Sequence, residues 1–425
     1  MVINRAKKIK SRLQNIGAGP SYKNLSLNDA QPALDYIQSY WHKLERYHPK
    51  DEGNLIGLPK PFLVPSFEEG HEFDYNELYY WDSYFMVQGL LDDKHKDLVL
   101  GILDDLIYLF ERFNIIPNAS RLYLTSRSQP PFLTSFIWDI HNAYVMDKKW
   151  LGEKLAVAER EYETVWMGTQ KPNARQVYKG LSRYYDFNYL NDIAETESGW
   201  DMTPRFGRKA LDYLPADLNA LLYKYEMDFA RYYELIGNHS TMHKWKQKAH
   251  VRKKNMDQLM WNGIKSQYYD YNYVKKRRGT VNSLASYYPM WAKMANKEQA
   301  RKLVRALKRY EHEGGLSTTD TIQLTKFVPG VTMTPTQWAY PNGWAPLHFL
   351  IIKGLENYGY HDDARRIALK WLKTNLDWFN THGVFLEKYN VITPKNPPEK
   401  GLYPSQTGFG WTNSVFTYLA NKYLE

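Results

Sequence analysis

The chain has 425 residues, no cysteine and a formal net charge of +10. That length supports a large core without staples, and the missing cysteine rules out thiol catalysis, disulfides and cysteine-ligated metal. The lysines are spread along helical stretches such as Lys244–Lys253 with acids or apolar residues between them, so the positive balance reads as a solvated surface rather than a nucleic-acid stripe. No run approaches the ~20 apolar residues of a membrane span, and the basic start lacks the apolar run of a secretory signal. A soluble, cytoplasmic protein is expected, with no nucleic-acid or membrane partner. Aromatic residues make up 16% of the chain, with 14 Trp and 35 Tyr, and such side chains suit sugar faces as well as packing.

Taken in order, residues 1–27 read as a basic N-terminal segment and 28–425 as a single domain. A helix is expected over Asn28–His48, where Leu34, Ile37, Tyr40, Trp41, Leu44 and Tyr47 share one face. Pro59, Pro61 and Pro65 then break the pattern ahead of an acidic loop carrying Glu68, Glu69, Glu72 and Asp74. Helical periodicity returns near 77–91, 97–113, 131–146, 152–166, 217–236, 241–261, 281–295, 297–310, 344–358, 361–379 and 410–423. No alternating strand pattern and no fixed repeat is visible. About a dozen helices joined by alternating short and long connections predict a closed ring of helical hairpins, with the long loops making a pocket at one end.

The chemistry-bearing stretches fall in those long loops. Glu197-Ser198-Gly199-Trp200-Asp201 sets a carboxyl after a glycine that lets another group come close and a tryptophan that could raise an acid's pKa. A carboxyl protonated near neutral pH can donate its proton to a leaving group. Arg127-Ser128-Gln129-Pro130-Pro131 and Ile116-Pro117-Asn118 offer directional hydrogen bonds for a polyhydroxylated ligand, or equally a proline-led helix start. The aromatic runs Gln337–Pro346 and Gly408–Asn413 fit either pocket walls or plugs of the core. Glu387 supplies a second carboxylate in apolar company, unless Glu387-Lys388 is a surface charge pair; with Asp201 it would make the pair that glycoside hydrolysis uses. Two other motifs fail. His71-Glu72 lacks the second histidine of a zinc-protease helix, and Gly314-Gly315 lacks the lysine of a phosphate loop. Ion binding by the acidic loop near Glu68 stays open.

Together these stretches resemble the trehalase family, glycoside hydrolase family 37, from about Pro61 to Trp411. The tracts that carry the resemblance, in family order, are Tyr79–Phe85, Ile116–Asn118, Arg127–Pro131, Glu197–Asp201, Asp217–Ala220, Pro341–Pro346, Glu387–Tyr389 and Gly408–Asn413. The resemblance implies an all-α (α/α)6 barrel and an inverting α-glycosidase that releases glucose from trehalose or a related α-glucoside. It implies Asp201 as general acid and Glu387 as general base, roughly 6.5–9.5 Å apart to admit a water. Tyr75, Trp81, Asp82, Asn118, Arg127, Gln129, Arg183, Gly199, Trp338 and Trp411 would bind the sugar. No metal or organic cofactor is implied, the partner is a small carbohydrate, and a monomer is expected with oligomers left open. The alternatives are a family 63-like hydrolase of glucosylglycerate, mannosylglycerate or another α-glycoside, and a catalytically silent sugar-binding homologue.

Departures from the family pattern concentrate on positions that serve the leaving sugar. Asp74 stands where the family has arginine, Ala339 where it has aspartate, and Leu402 where it has an acid. Arg183 is the nearest match to an arginine upstream of the catalytic aspartate, and the glutamate that accompanies it has no clear match. Unpaired buried polar groups cost roughly 1–3 kcal/mol, so such changes would alter the choice of leaving group.

Overall fold

The computed structural model describes residues 21–67, 75–321, 336–398, 401 and 405–425. The acidic loop Glu68–Asp74 and Leu402 therefore lie outside the described residues, as does most of the basic N-terminal segment. Twelve of the α-helices alternate between an outer and an inner position. The outer helices are α1 (Leu27–Leu44), α3 (Lys96–Phe113), α5 (Lys148–Glu161), α8 (His239–Leu259), α10 (Lys297–Ala306) and α12 (His361–His382). The inner ones are α2 (Tyr80–Val87), α4 (Leu133–Tyr144), α7 (Ala216–Leu235), α9 (Tyr288–Trp291), α11 (Ala345–Asn357) and α13 (Gly410–Tyr423). A short extra helix, α6 (Asn191–Thr196), sits in the connection before α7 and carries no periodicity that would announce it.

Burial separates the two rings. Every residue of α2 and α9 is buried, whereas α1 buries a stripe of Ala30, Ala33, Ile37, Tyr40, Trp41 and Leu44, flanks it with the half-buried Leu27, Leu34 and Tyr36, and turns its polar face outward. A helix apolar all round must sit inside, and one with a single apolar stripe must lie against it. Consecutive inner helices touch around the ring, and α13 returns to α2. Rings from several inner elements close the axis: Tyr84 stacks on Phe132 at 4.6 Å, Phe132 meets Trp291 at 5.5 Å, and Phe349 meets Tyr418 at 5.2 Å. The barrel is thus a filled core rather than a pore.

The connections divide the barrel into two ends. Inner helices run into the next outer helix through short turns, such as Tyr144 to Lys148 and Leu235 to His239, which hold them antiparallel. Outer helices return through long segments, all at the other end, where the inner helices begin. No inner helix has a side-chain cap, whereas α1, α5, α8 and α10 are capped by Ser26, Asp147, Asn238 and Asn296. The uncapped N–H groups of the inner ring therefore face the long-loop end and are available to groups brought there. One is taken by Gln129, whose Oε1 accepts from Trp81 N at 2.9 Å.

Two- and three-residue strands brace these loops, too short to show alternation in the sequence. Among them β1 (Asn342–Trp344) pairs antiparallel with β2 (Lys388–Asn390), placing Trp344 directly opposite Lys388.

Candidate active site

Asp201 sits on a loop held from behind. Gly199 has φ +70, and a Cβ there would lie 2.6 Å from the Trp81 ring, so the close approach expected of this glycine is to the Trp81 indole. Glu197, two residues earlier, is fully buried and accepts from Ser128 N at 2.8 Å, Tyr185 N at 2.7 Å and the Arg175 guanidinium. One carboxylate thereby ties the Arg127–Gln129 loop to the Asp201 loop. On the far side, Thr203 N donates to Glu195 at 2.8 Å, and Gln337 Nε2 donates to the Asp201 carbonyl at 2.6 Å. Trp200 is buried and stacks behind Trp338 at 5.4 Å instead of lining the site. Arg205 turns away and pairs with Asp217 and Asp270, so the Asp217–Ala220 tract acts as a brace.

Glu387 is placed by a β-ladder. It immediately precedes β2, its backbone N–H donates to Gln406 O at 3.0 Å, and its carbonyl accepts from Trp411 Nε1 at 3.1 Å. The Glu387 side chain is 2% exposed, and Lys388 Nζ donates to its Oε2 at 2.7 Å. The Glu387-Lys388 pair is therefore buried and not a surface charge pair.

Both carboxylates line one cavity of about 270 Å³. Tyr75, Trp81, Asp82, Asn118, Arg127, Gln129, Gly199, Trp338 and Trp411 also line it, so the structure brings together every residue expected there except Arg183. The Arg183 guanidinium is spent on the carbonyls of Ala174 at 2.9 Å and Leu211 at 2.7 Å and on Tyr273 OH at 2.9 Å. It is a loop fastener. Sequence reasoning left out Pro65, Tyr79, Tyr123, Leu124, Thr196 and Phe409 from the lining. The aromatic runs play both parts weighed for them. Trp338 and Trp411 form the wall, while Trp344 stacks behind Trp338 at 3.7 Å with planes 2° apart.

The polar lining is arranged for hydroxyl groups. Gln129 bridges Trp81 N and Asp82 Oδ2, the latter at 3.5 Å. Asn118 is oriented by its bond to Ser128 O at 3.2 Å, and Arg127 by Asp186 at 3.3 Å. Arg127 Nε is buried with no partner among the described residues, a donor left over for a ligand.

Burial dominates the electrostatics. It pushes Asp201 up to about 7, with the Glu387 charge adding to the rise and Lys388 and Arg127 opposing it. Burial likewise pushes Asp82 up to about 8, opposed by Gln129 and assisted by the Asp201 and Glu387 charges. The Tyr75 hydroxyl is raised by burial first and then by Glu387, Asp82 and Asp201. Two carboxyls of the cavity, Asp201 and Asp82, are thereby held toward the protonated form near neutral pH. A proton donor and a carboxylate base can therefore stand in the same site.

An alternating ring of inner and outer helices, with paired carboxyls in an aromatic and polar cavity at its long-loop end, is a helical toroid. The chain belongs to the trehalase family: the family model for trehalase matches residues 8–199 and 183–423. It is 31% identical to the cytosolic neutral trehalase of Kluyveromyces lactis across 88% of this chain and 57% of that protein. It is 29% identical to the periplasmic trehalase of Escherichia coli O1:K1 across 91% of this chain and 73% of that one. The chain thus spans little more than half the length of the Kluyveromyces relative. Among solved structures, neutral trehalase Nth1 from Saccharomyces cerevisiae superposes with a TM-score of 0.74 at 29% identity, covering 92% of this chain and 80% of that one. A mannosylglycerate hydrolase of family 63 from Thermus thermophilus shares the fold at a TM-score of 0.65 and 15% identity, covering 90% of this chain and 98% of that one.

Proposed function

We propose that this chain hydrolyses trehalose or a closely related α-glucoside to free glucose with inversion at the anomeric carbon. The observation that carries this reading is the pair Asp201 and Glu387 on one cavity in unlike surroundings, one carboxyl held up to about 7 and the other against an ammonium group. Asp201 gives its proton to the glycosidic oxygen as the bond from that oxygen to the anomeric carbon breaks. Glu387 takes a proton from a water that attacks the same carbon from the opposite face. Asp82, Asn118, Arg127 and Gln129 fix the sugar hydroxyls, and Trp81, Trp338 and Trp411 exclude bulk water, which strengthens the charge effects inside.

The names of the relatives support trehalose as the substrate, and Gln337 still grips the Asp201 loop although the residue two positions on is the buried Ala339. Residues 28–425 act as one catalytic domain in this reading. No helix among the described residues is long and apolar enough to cross a membrane. One relative is named cytosolic and another periplasmic, and a cytoplasmic location is part of the proposal.

The test is sugar release from trehalose, other α-linked disaccharides, glucosylglycerate and mannosylglycerate, with the anomer of the first product read by NMR. Trehalose cleavage giving β-glucose first is the expected result. Cleavage of another panel member with trehalose untouched would transfer the proposal to a rebuilt leaving-group site, and a folded protein inert on the whole panel would defeat it.

A further inference from the structure

We infer that Lys388 is the residue that assigns the two carboxyls their opposite roles, by holding Glu387 in place as the charged partner and leaving Asp201 as the neutral one. This rests on the reading of the site as a two-carboxylate glycosidase.

A lysine with no exposed surface is an expensive thing to bury, and it persists only where a specific partner takes its charge. Here the register of β1 against β2 sets Lys388 opposite Trp344, and its ammonium lies 5.1 Å from the centre of the Trp344 ring. Trp344 in turn stacks on Trp338, which forms the cavity wall. From that seat Lys388 Nζ reaches Glu387 Oε2 at 2.7 Å. Among the described residues no cation makes such a contact with the Asp201 carboxyl. Arg127, the cation among the cavity's described lining residues, is turned to Asp186.

The groups facing the pair come from every element around it. Asp82 lies on α2, Tyr75 and Glu77 precede it, Arg127 lies on the loop before α4, Glu195 stands behind Asp201, and Lys388 opens β2. Those carboxyls all disfavour further negative charge, so the cavity alone would leave Asp201 and Glu387 competing for one proton. A cation bonded to only one of them breaks the tie. Lys388 is not among the residues that line the cavity. It is a positioning residue that works through Glu387.

The experiment compares wild type with Lys388→Met and Lys388→Arg, using the pH profile of kcat/KM on trehalose. Titration of the Asp201 side-chain carbon, assigned with Asp201→Asn, is followed by NMR in protein labelled at aspartate. In Lys388→Met the acid limb of the profile should move up by about a unit, and neutral-pH kcat should fall at least tenfold with KM little changed. With Glu387 then competing for the shared proton, the Asp201 titration should lose its single step near neutral pH and spread over two, and Lys388→Arg should restore most of each change. In a Glu387→Gln background, Lys388→Met should add little further loss, as expected for groups that act as one unit. A loss of activity with both limbs and the Asp201 titration in place would overturn the inference and reduce Lys388 to a packing residue. A Lys388→Met protein that melts early is still read by the NMR titration at low temperature, where an unmoved Asp201 signal is again fatal. A wild type inactive on trehalose whose Asp201 titration still follows the Lys388 substitutions would uphold the charge assignment and defeat the proposed function alone.

Discussion

The two carboxyls of the cavity are supported in opposite ways. Asp201 is carried by an irregular loop clamped at its backbone by Gln337 and, through neighbouring residues, by Glu195 and Glu197. Glu387 is carried at the edge of a β-ladder, and its side chain itself is gripped, by Lys388. A backbone clamp fixes where a carboxyl stands without stabilising its charge, whereas an ammonium contact fixes both. In the proposed mechanism the same residue chemistry thus serves as an acid in one setting and as a base in the other.

The most direct way to break the comparison is to remove each carboxyl in turn. Asp201→Asn and Glu387→Gln should each lower kcat by about 10²–10⁴-fold while a glucose-induced rise in melting temperature persists. Trehalose turnover left within tenfold of wild type by either change would remove that residue from the chemistry. The pH profile sharpens the same point. Asp201 is protonated below about 7, so kcat/KM should fall as pH rises through that value, and Asp201→Glu should move the alkaline limb.

Glu197→Gln comes next in size. It leaves the Arg175 guanidinium buried beside a neutral amide and forces the amide to offer an N–H where the site supplies two backbone donors. Breaking a buried ion pair on one side costs about 3–5 kcal/mol, visible as a large drop in melting temperature. Because Glu197 joins the Arg127 and Asp201 loops, kcat should fall with it even at temperatures where the protein remains folded.

How much of this was legible in the sequence differs by the kind of signal. The longer helices showed because each repeats its apolar residues at helical spacing, whereas the helix expected over 281–295 shrinks to the four buried residues of α9, and the alternation of short and long connections gave the toroid. Asp201 and Glu387 showed because their neighbours are unusual for loops. What did not show depends on residues far apart in the chain meeting in space. Nothing local tells that Glu197 meets Arg175 and Ser128, that Arg205 goes to Asp217 and Asp270, or that Arg183 is spent on carbonyls. The Lys388 side chain could as well have been in water, and only the pairing of β1 with β2 places it inside.

Gly199→Ala probes the loop more gently. The added methyl would meet the Trp81 ring at 2.6 Å on a backbone of φ +70, so the ring or the loop has to shift. A stability loss of about 1–3 kcal/mol follows from overpacking of this kind, with a change in tryptophan fluorescence and a raised KM as Trp81 leaves its place in the wall. An unchanged KM would separate the Trp81 contact from sugar binding.

The smallest kinetic effect is expected where sequence reasoning and structure part. Arg183→Met removes donors to the carbonyls of Ala174 and Leu211 and to Tyr273, none of which lines the cavity. The Ala174 carbonyl loses the side-chain donor it had, costing about 1–3 kcal/mol where water cannot replace the guanidinium, while Leu211 O keeps Tyr273 OH at 3.1 Å. Melting should therefore move down while KM for trehalose stays within about twofold, since a group that does not touch the ligand removes no uniform binding. A KM raised tenfold in a protein of unchanged stability would return Arg183 to the substrate-binding set that the family resemblance implies. The two outcomes are separated by stability and KM together, because a fastener and a ligand of the sugar fail in opposite measurements.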